Sequence, residues 1–161
     1  MSTPPSLDEH LCFALYSASR AITAAERPGL QELGLTYPQY LVMLVLWEAD
    51  GDVTVSQIGD RLALDSGTLS PLLKRLQTLG LIERARSAED ERSVLVSLTE
   101  SGAQMRMRAG CVVAAAITAD TPLDAEPSHD GDEFTVDELE ELRDALNRLT
   151  NVLRHKTVAR T

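Results

Sequence analysis

Residues 40–47, Tyr-Leu-Val-Met-Leu-Val-Leu-Trp, constrain this chain more than any other stretch, because eight consecutive residues are hydrophobic. They follow Thr36-Tyr37-Pro38-Gln39, a helix-start signature in which a hydroxyl caps the first turn, a Pro occupies it and a Gln reaches back. A helix that is apolar on every side has to be covered on every side, so the rest of the chain must wrap around it. Eight residues are far short of the roughly 20 that cross a bilayer, so no membrane span is expected. The 161 residues suffice for one domain with a real core. Residues 1–10 have neither the basic region nor the apolar run of a secretory signal, and a cytoplasmic protein is expected.

Around that centre the periodicity predicts a helix over 7–25, with Leu11, Leu15, Ala18 and Ile22 on one face. Arg27-Pro28-Gly29 is expected to interrupt it, leaving one further turn at 30–33. Thr54-Val55-Ser56-Gln57 opens a short helix with Val55, Ile58 and Leu62 inward. A second helix starts at Asp65 or Ser66, runs through Leu69, Leu72, Leu73, Leu76 and Leu79, and ends at Gly80. Residues 81–86 and 93–98 read as two short strands joined by a polar loop at 87–92. Thr99 caps a long helix running through Cys111 to about Ala119, and an acidic connection follows at 120–133. Thr135 and Glu138 cap a last helix carrying Leu139, Leu142, Leu146, Leu149 and Leu153. The expected fold is mainly α with a small β-wing: a winged helix-turn-helix and a flanking helical region.

The net charge of −10 argues at first against a polyanionic partner. Its distribution reverses that inference. Eleven of the 25 acids and one of the 15 bases lie within 120–144, so the rest of the chain carries 14 of each and is free to present a basic face. The outward side of the second helix offers Ser66, Thr68, Ser70, Lys74, Arg75 and Gln77, the residue types that meet phosphates and base edges. The wing supplies Arg84, Arg86 and Arg92 with Glu89, Asp90 and Glu91 between them. Double-stranded DNA is the expected partner, with Ser66, Thr68, Ser70, Lys74 and Arg75 in the major groove. Arg86 and Arg92 serve the wing, Arg92 in the minor groove with Asp90 orienting it. Two cysteines and the scattered His10, His129 and His155 make no metal-ligand pattern, and no phosphate loop or nucleophile elbow is present. Neither a cofactor nor a conventional enzyme is expected.

The stretches 35–48 (Leu-Thr-Tyr-Pro-Gln-Tyr-Leu-Val-Met-Leu-Val-Leu-Trp-Glu) and 64–76 (Leu-Asp-Ser-Gly-Thr-Leu-Ser-Pro-Leu-Leu-Lys-Arg-Leu), with Asp90-Glu91-Arg92 and 98–102 (Leu-Thr-Glu-Ser-Gly), resemble the MarR family. Residues 11–18 (Leu-Cys-Phe-Ala-Leu-Tyr-Ser-Ala) resemble its organic-hydroperoxide-sensing branch, the OhrR repressors. The likeness is continuous over about 7–110. It implies a homodimer built from residues 1–36 and 100–161, and a DNA-reading winged helix over 37–99 that binds a pseudopalindromic operator. It also implies that Cys12 is the peroxide-sensing thiol, hydrogen-bonded through Tyr37 and supported by Tyr16, with organic hydroperoxide as the effector. A low-molecular-weight thiol is a further partner that could trap the oxidised sulfur. Read from the residues alone, a single cysteine on an Ala-rich helix is more often a small buried hydrophobe than a nucleophile.

Two positions depart from the family pattern. Glu26 stands where the family offers a second tyrosine, so its carboxylate either turns to solvent or weakens the activation of Cys12. The resolving cysteine of two-cysteine members falls near Thr118, whereas Cys111 lies seven residues earlier, about 10 Å along a helix. Cys111 is therefore read as structural, with a role as second thiol left open. Two alternatives stand beside the peroxide sensor: a MarR-type repressor released by a small aromatic ligand, and a thiol peroxidase.

Overall fold

The structure is a computed structural model and describes residues 6–7, 9–88, 90, 92–118 and 134–158. In chain order it contains α1 (Leu11–Glu32), α2 (Tyr37–Glu48), β1 (Val53–Thr54), α3 (Val55–Leu62), α4 (Ser66–Thr78), β2 (Ile82–Arg86), β3 (Val94–Leu98), α5 (Glu100–Thr118) and α6 (Val136–Val158). The chain divides into two units, Met1–Thr121 and Pro122–Thr161. The acidic connection expected at 120–133 lies outside the described residues.

In the first unit α2 is the centre, as its composition requires. Tyr40, Val42, Met43, Leu46 and Trp47 are buried, and Ile58 of α3, Leu69, Leu73 and Leu76 of α4, Leu81, Ile82 and Val96 close around them. Each fully buried side chain of this kind is worth about 1.5–3 kcal/mol. The helix starts follow the sequence signals. The Thr36 N–H donates to the Gln39 side chain at 2.9 Å, and Thr54 and Gln57 exchange reciprocal bonds of 2.8 and 3.1 Å. α3 turns into α4 through Ala63, which adopts the left-handed conformation (φ 55°) and lets Leu64 N–H reach the Gly59 carbonyl.

Two elements differ from expectation. Arg27-Pro28-Gly29 does not interrupt α1, which continues through Pro28 to Glu32. A proline inside a helix costs about 3 kcal/mol. Continuing the helix carries Leu30 and the C-cap Leu33 into the core (2% and 6% exposed), and two such burials at about 1.5–3 kcal/mol each offset that cost. The second difference is β1, which pairs antiparallel with β3 (Val53 opposite Val96) and makes the wing a three-stranded sheet of order β1-β3-β2. Two residues are too few to show an alternating pattern. The wing hairpin has the expected strands, with Ile82 opposite Leu98 and Arg86 opposite Val94.

α1 packs along α5 within this unit. α6 opens with the Thr135 and Glu138 box, in which the Thr135 N–H donates to Glu138 at 2.8 Å. No helix among the described residues is long and apolar enough to cross a membrane.

Candidate functional site

α4 is anchored at its start by Asp65. One carboxylate oxygen accepts the Thr68 backbone N–H (2.9 Å) and the other accepts the Thr68 hydroxyl (2.8 Å). These bonds, the backbone one foremost, hold the Asp65 carboxyl below its usual range. With Leu69, Leu73 and Leu76 buried, the opposite face turns Ser66, Ser70, Lys74 and Arg75 to the outside. Thr68 is exposed as well, but its hydroxyl is committed to Asp65.

Arg84 and Arg86 project from β2, and Arg92 precedes β3; all three are exposed. Asp90 organises the turn between the strands. It accepts the Ser93 hydroxyl at 2.7 Å and the Arg92 backbone N–H at 3.0 Å, and these two bonds, in that order, hold its carboxyl below the usual range. Among the described residues Asp90 bonds Arg92 through its backbone, fixing where the residue stands while leaving the guanidinium free of it.

Cys12 lies in the first turn of α1 and is exposed, so within the chain it is no core residue. Tyr16 (56% exposed) and Arg20 follow at four-residue intervals, which stacks the three side chains on one face. Arg20 Nη1 donates to the Tyr16 hydroxyl oxygen at 2.9 Å, and the guanidinium lies 5.6 Å from the ring centroid. The phenolic hydrogen is thereby left for another acceptor. Tyr37 is half-buried at the start of α2. It lines a cavity of about 400 Å³ with Thr23, Arg27 and Gln31 of α1. Cys12 lies eleven residues before Thr23, about 16 Å along the helix, which sets it apart from the Tyr37 cavity within one chain. The surroundings of the Cys111 side chain lie outside the described residues.

Glu26 does not turn to solvent. The face of α1 that carries Leu30 into the core carries Glu26 with it (6% exposed), and its Oε2 has no hydrogen-bond partner. Burial raises the Glu26 carboxyl above its ordinary value. The hydroxyls of Tyr37 and Tyr40 are raised by their own burial first and by the neighbouring Glu26 charge second. A carboxyl raised by folding stabilises the fold while protonated, and that contribution is lost as pH rises through the raised value. Glu26→Met removes the unpaired oxygen and is expected to stabilise the protein by about 1–3 kcal/mol at pH 8. The gain should shrink towards pH 4. Urea unfolding at both pH values checks this, and equal midpoints at pH 8 would contradict a buried, unpaired carboxylate.

The comparisons with known proteins agree with this geometry. The family model described as transcriptional regulator SarA/Rot matches residues 25–107. An organic hydroperoxide resistance transcriptional regulator of Bacillus subtilis (strain 168) is 54% identical over 103 residues, 64% of this chain and 69% of that protein. AbfR of Staphylococcus epidermidis, in its reduced form bound to DNA, is 34% identical, with 90% of both chains covered and a TM-score of 0.71. A disulfide form of AbfR is 32% identical, covers 90% of this chain and 88% of that one, and has a TM-score of 0.60. The chain is a transcriptional regulator of the MarR/SarA family. The winged helix and the family resemblance read from the sequence stand.

Two contacts of this regulator go beyond the residues that the sequence singles out: Arg20 on Tyr16, for which the four-residue spacing on one face is a usable signal, and Ser93 on Asp90, a loop contact that no periodicity marks. Among the described residues no group of acidic, His or Cys side chains could hold a metal ion.

Proposed function

We propose that this regulator is a homodimeric redox-sensing repressor that occupies a pseudopalindromic DNA operator and is released when organic hydroperoxide oxidises Cys12. Residues 37–99 form the DNA-reading lobe, and residues 1–36 with 100–161 form the helical dimerisation region. The observation that carries the reading is the exposure of Cys12 on the uncovered face of α1 in a chain of this family. The large apolar side chains of Leu11, Tyr16 and Ile22 on α1, and of Leu139, Leu142 and Val152 on α6, are exposed in the single chain, and a second copy would cover them. In such a dimer Cys12 has access to the partner's Tyr37, the one it cannot reach being its own.

The thiolate attacks the terminal oxygen of the hydroperoxide, the O–O bond breaks, sulfur becomes a sulfenic acid and the alkoxide leaves with a proton as the alcohol. Phe13, Leu15 and Tyr16 beside the thiol favour an alkyl or aryl tail, at about 25 cal/mol per Å² removed from water. Hydrogen peroxide lacks that tail. The second reading, release by a small aromatic ligand, is favoured by the cavity at Tyr37, where Arg27 could meet a carboxylate.

The test is to select duplexes from a random-sequence pool with the purified protein and titrate the complex, with cysteine present, with cumene hydroperoxide and with hydrogen peroxide. Two half-sites about 34 Å apart, and release at lower concentrations of the organic peroxide, are expected. A protein that retains no duplex, or a complex that neither peroxide dissolves, contradicts the proposal.

A further inference from the structure

Residues 11–25 of α1 hold no acidic residue and one base, Arg20. That base is exposed and joins no ion pair among the described residues. It is nevertheless held in place. Its Nη1 donates to the Tyr16 hydroxyl oxygen at 2.9 Å, and its guanidinium carbon lies 5.6 Å from the centroid of the Tyr16 ring. A hydrogen bond and a cation–π contact together restrain a long side chain that otherwise samples many rotamers. Helical side chains lean towards the N-terminus, so the charge of Arg20 is carried back one turn, to the turn that follows Cys12. Cys12 and Arg20 are eight residues apart, about 12 Å of helix rise, and the reach back to Tyr16 closes about half of it. At about 100° per residue the strip Cys12, Tyr16 and Arg20 runs beside the line of Leu11 and Ile22 that a second copy would cover, and all three side chains are exposed.

We propose that Arg20 selects the thiol that traps the oxidised Cys12, by binding that thiol's carboxylate. The inference rests on the redox reading of Cys12 and names the class of its second reactant, a small thiol with a carboxylate close to its sulfur. In the trapping step the thiol sulfur bonds to Cys12 Sγ, the S–O bond of the sulfenic acid breaks, and hydroxide leaves with the thiol's proton as water. The Cys12 sulfur is reduced and the incoming sulfur oxidised, so the step needs no further oxidant or reductant. One nitrogen of Arg20 is committed to Tyr16, and the rest of the guanidinium fork is open to a carboxylate. The phenol anchors that fork without neutralising it. A carboxylate is drawn towards the sulfur before the disulfide forms and is held there afterwards.

The experiment oxidises the full-length protein with cumene hydroperoxide and follows the mixed disulfide at Cys12 by peptide mass. The trapping thiols are N-acetylcysteine and its amide, which differ in the carboxylate alone. Wild type, Arg20→Gln and Arg20→Lys are compared, with unfolding temperatures confirming that each is folded and dimedone measuring the sulfenic acid formed beforehand. The acid-to-amide rate ratio should be about fivefold higher in wild type than in Arg20→Gln, with Arg20→Lys, which keeps the charge without the fork, between them. Dimedone adducts should form equally in all three. Equal ratios overturn the proposal, and equal ratios with slower formation of the sulfenic acid in Arg20→Gln make Arg20 a prop of Tyr16 instead. A wild type that forms no dimedone adduct at Cys12 contradicts the redox reading itself, and the proposal with it.

Discussion

Gly102→Ala is expected to lower the unfolding temperature by about 10 °C, a large effect for one methyl group. A Cβ at Gly102 would fall onto the Leu81 backbone carbonyl and press on Leu98 Cδ2 at 3.3 Å. The carbonyl cannot yield, because it accepts the Thr99 N–H at 3.1 Å. Gly102 cannot yield either. Its N–H donates to the Thr99 hydroxyl oxygen at 3.1 Å, and its own carbonyl accepts the buried Trp47 indole N–H at 2.8 Å. The Thr99 hydroxyl in turn donates to the Gly80 carbonyl at 2.6 Å. This knot joins the end of α4, the wing and the start of α5 to the central helix, so relieving the clash breaks bonds worth about 1 kcal/mol each on top of the overpacking cost. Gly110→Ala, also in α5, is the control. An added Cβ there meets nothing within 4 Å, and the better helix former should stabilise by about 0.5–1 kcal/mol. Thermal unfolding of the two variants checks the contrast, and similar melting temperatures would refute it.

That knot was not readable in the sequence. Thr99 was recognised as a helix cap, but the backbone carbonyls of Gly80 and Leu81 that fix the position of α5 leave no trace in residue identity. What could be read was whatever a local pattern encodes. The eight hydrophobic residues of α2 fixed the centre, and the hydroxyl-to-Gln boxes at Thr36 and Thr54 marked helix starts that the structure has. Alternation at Val94, Val96 and Leu98 placed the wing. Pro28 misled because its local cost is smaller than the tertiary gain of burying Leu30 and Leu33. β1 was missed because two residues carry no period. At the candidate site the exposed serines and cations of α4 followed from the leucine spacing. The burial of Glu26 did not, since it depends on which face of α1 meets α2. The separation of Cys12 from the Tyr37 cavity follows from the helix rise between Cys12 and Thr23, which the sequence already predicts as one continuous helix.

Cys12→Ser is expected to bind the operator as wild type does in the absence of peroxide and to lose release by cumene hydroperoxide altogether. Serine keeps the size and a hydroxyl donor but forms no sulfenic acid, so the effector has nothing to oxidise. The energetics require more than the first oxidation. Moving a complex from 99% bound to 99% free needs about 5.5 kcal/mol of difference between the two states. One altered hydrogen bond at Tyr37 supplies about 1 kcal/mol. Further trapping of the sulfenic acid by a low-molecular-weight thiol is therefore expected, ahead of Cys111 of the partner subunit, with a bulky mixed disulfide on the exposed face of α1 supplying the remainder. With glutathione or cysteine present, release by cumene hydroperoxide should become more complete at equal oxidant. Cys111→Ser should then still be released.

The most direct measurement is a mobility-shift titration of the operator complex with cumene hydroperoxide, with cysteine present throughout, for wild type, Cys12→Ser and Cys111→Ser in parallel. Wild type and Cys111→Ser are expected to leave the DNA while Cys12→Ser stays bound at every concentration tested. Release of Cys12→Ser at the wild-type concentration would contradict oxidation of Cys12 as the trigger and pass the switch to a ligand at the Tyr37 cavity.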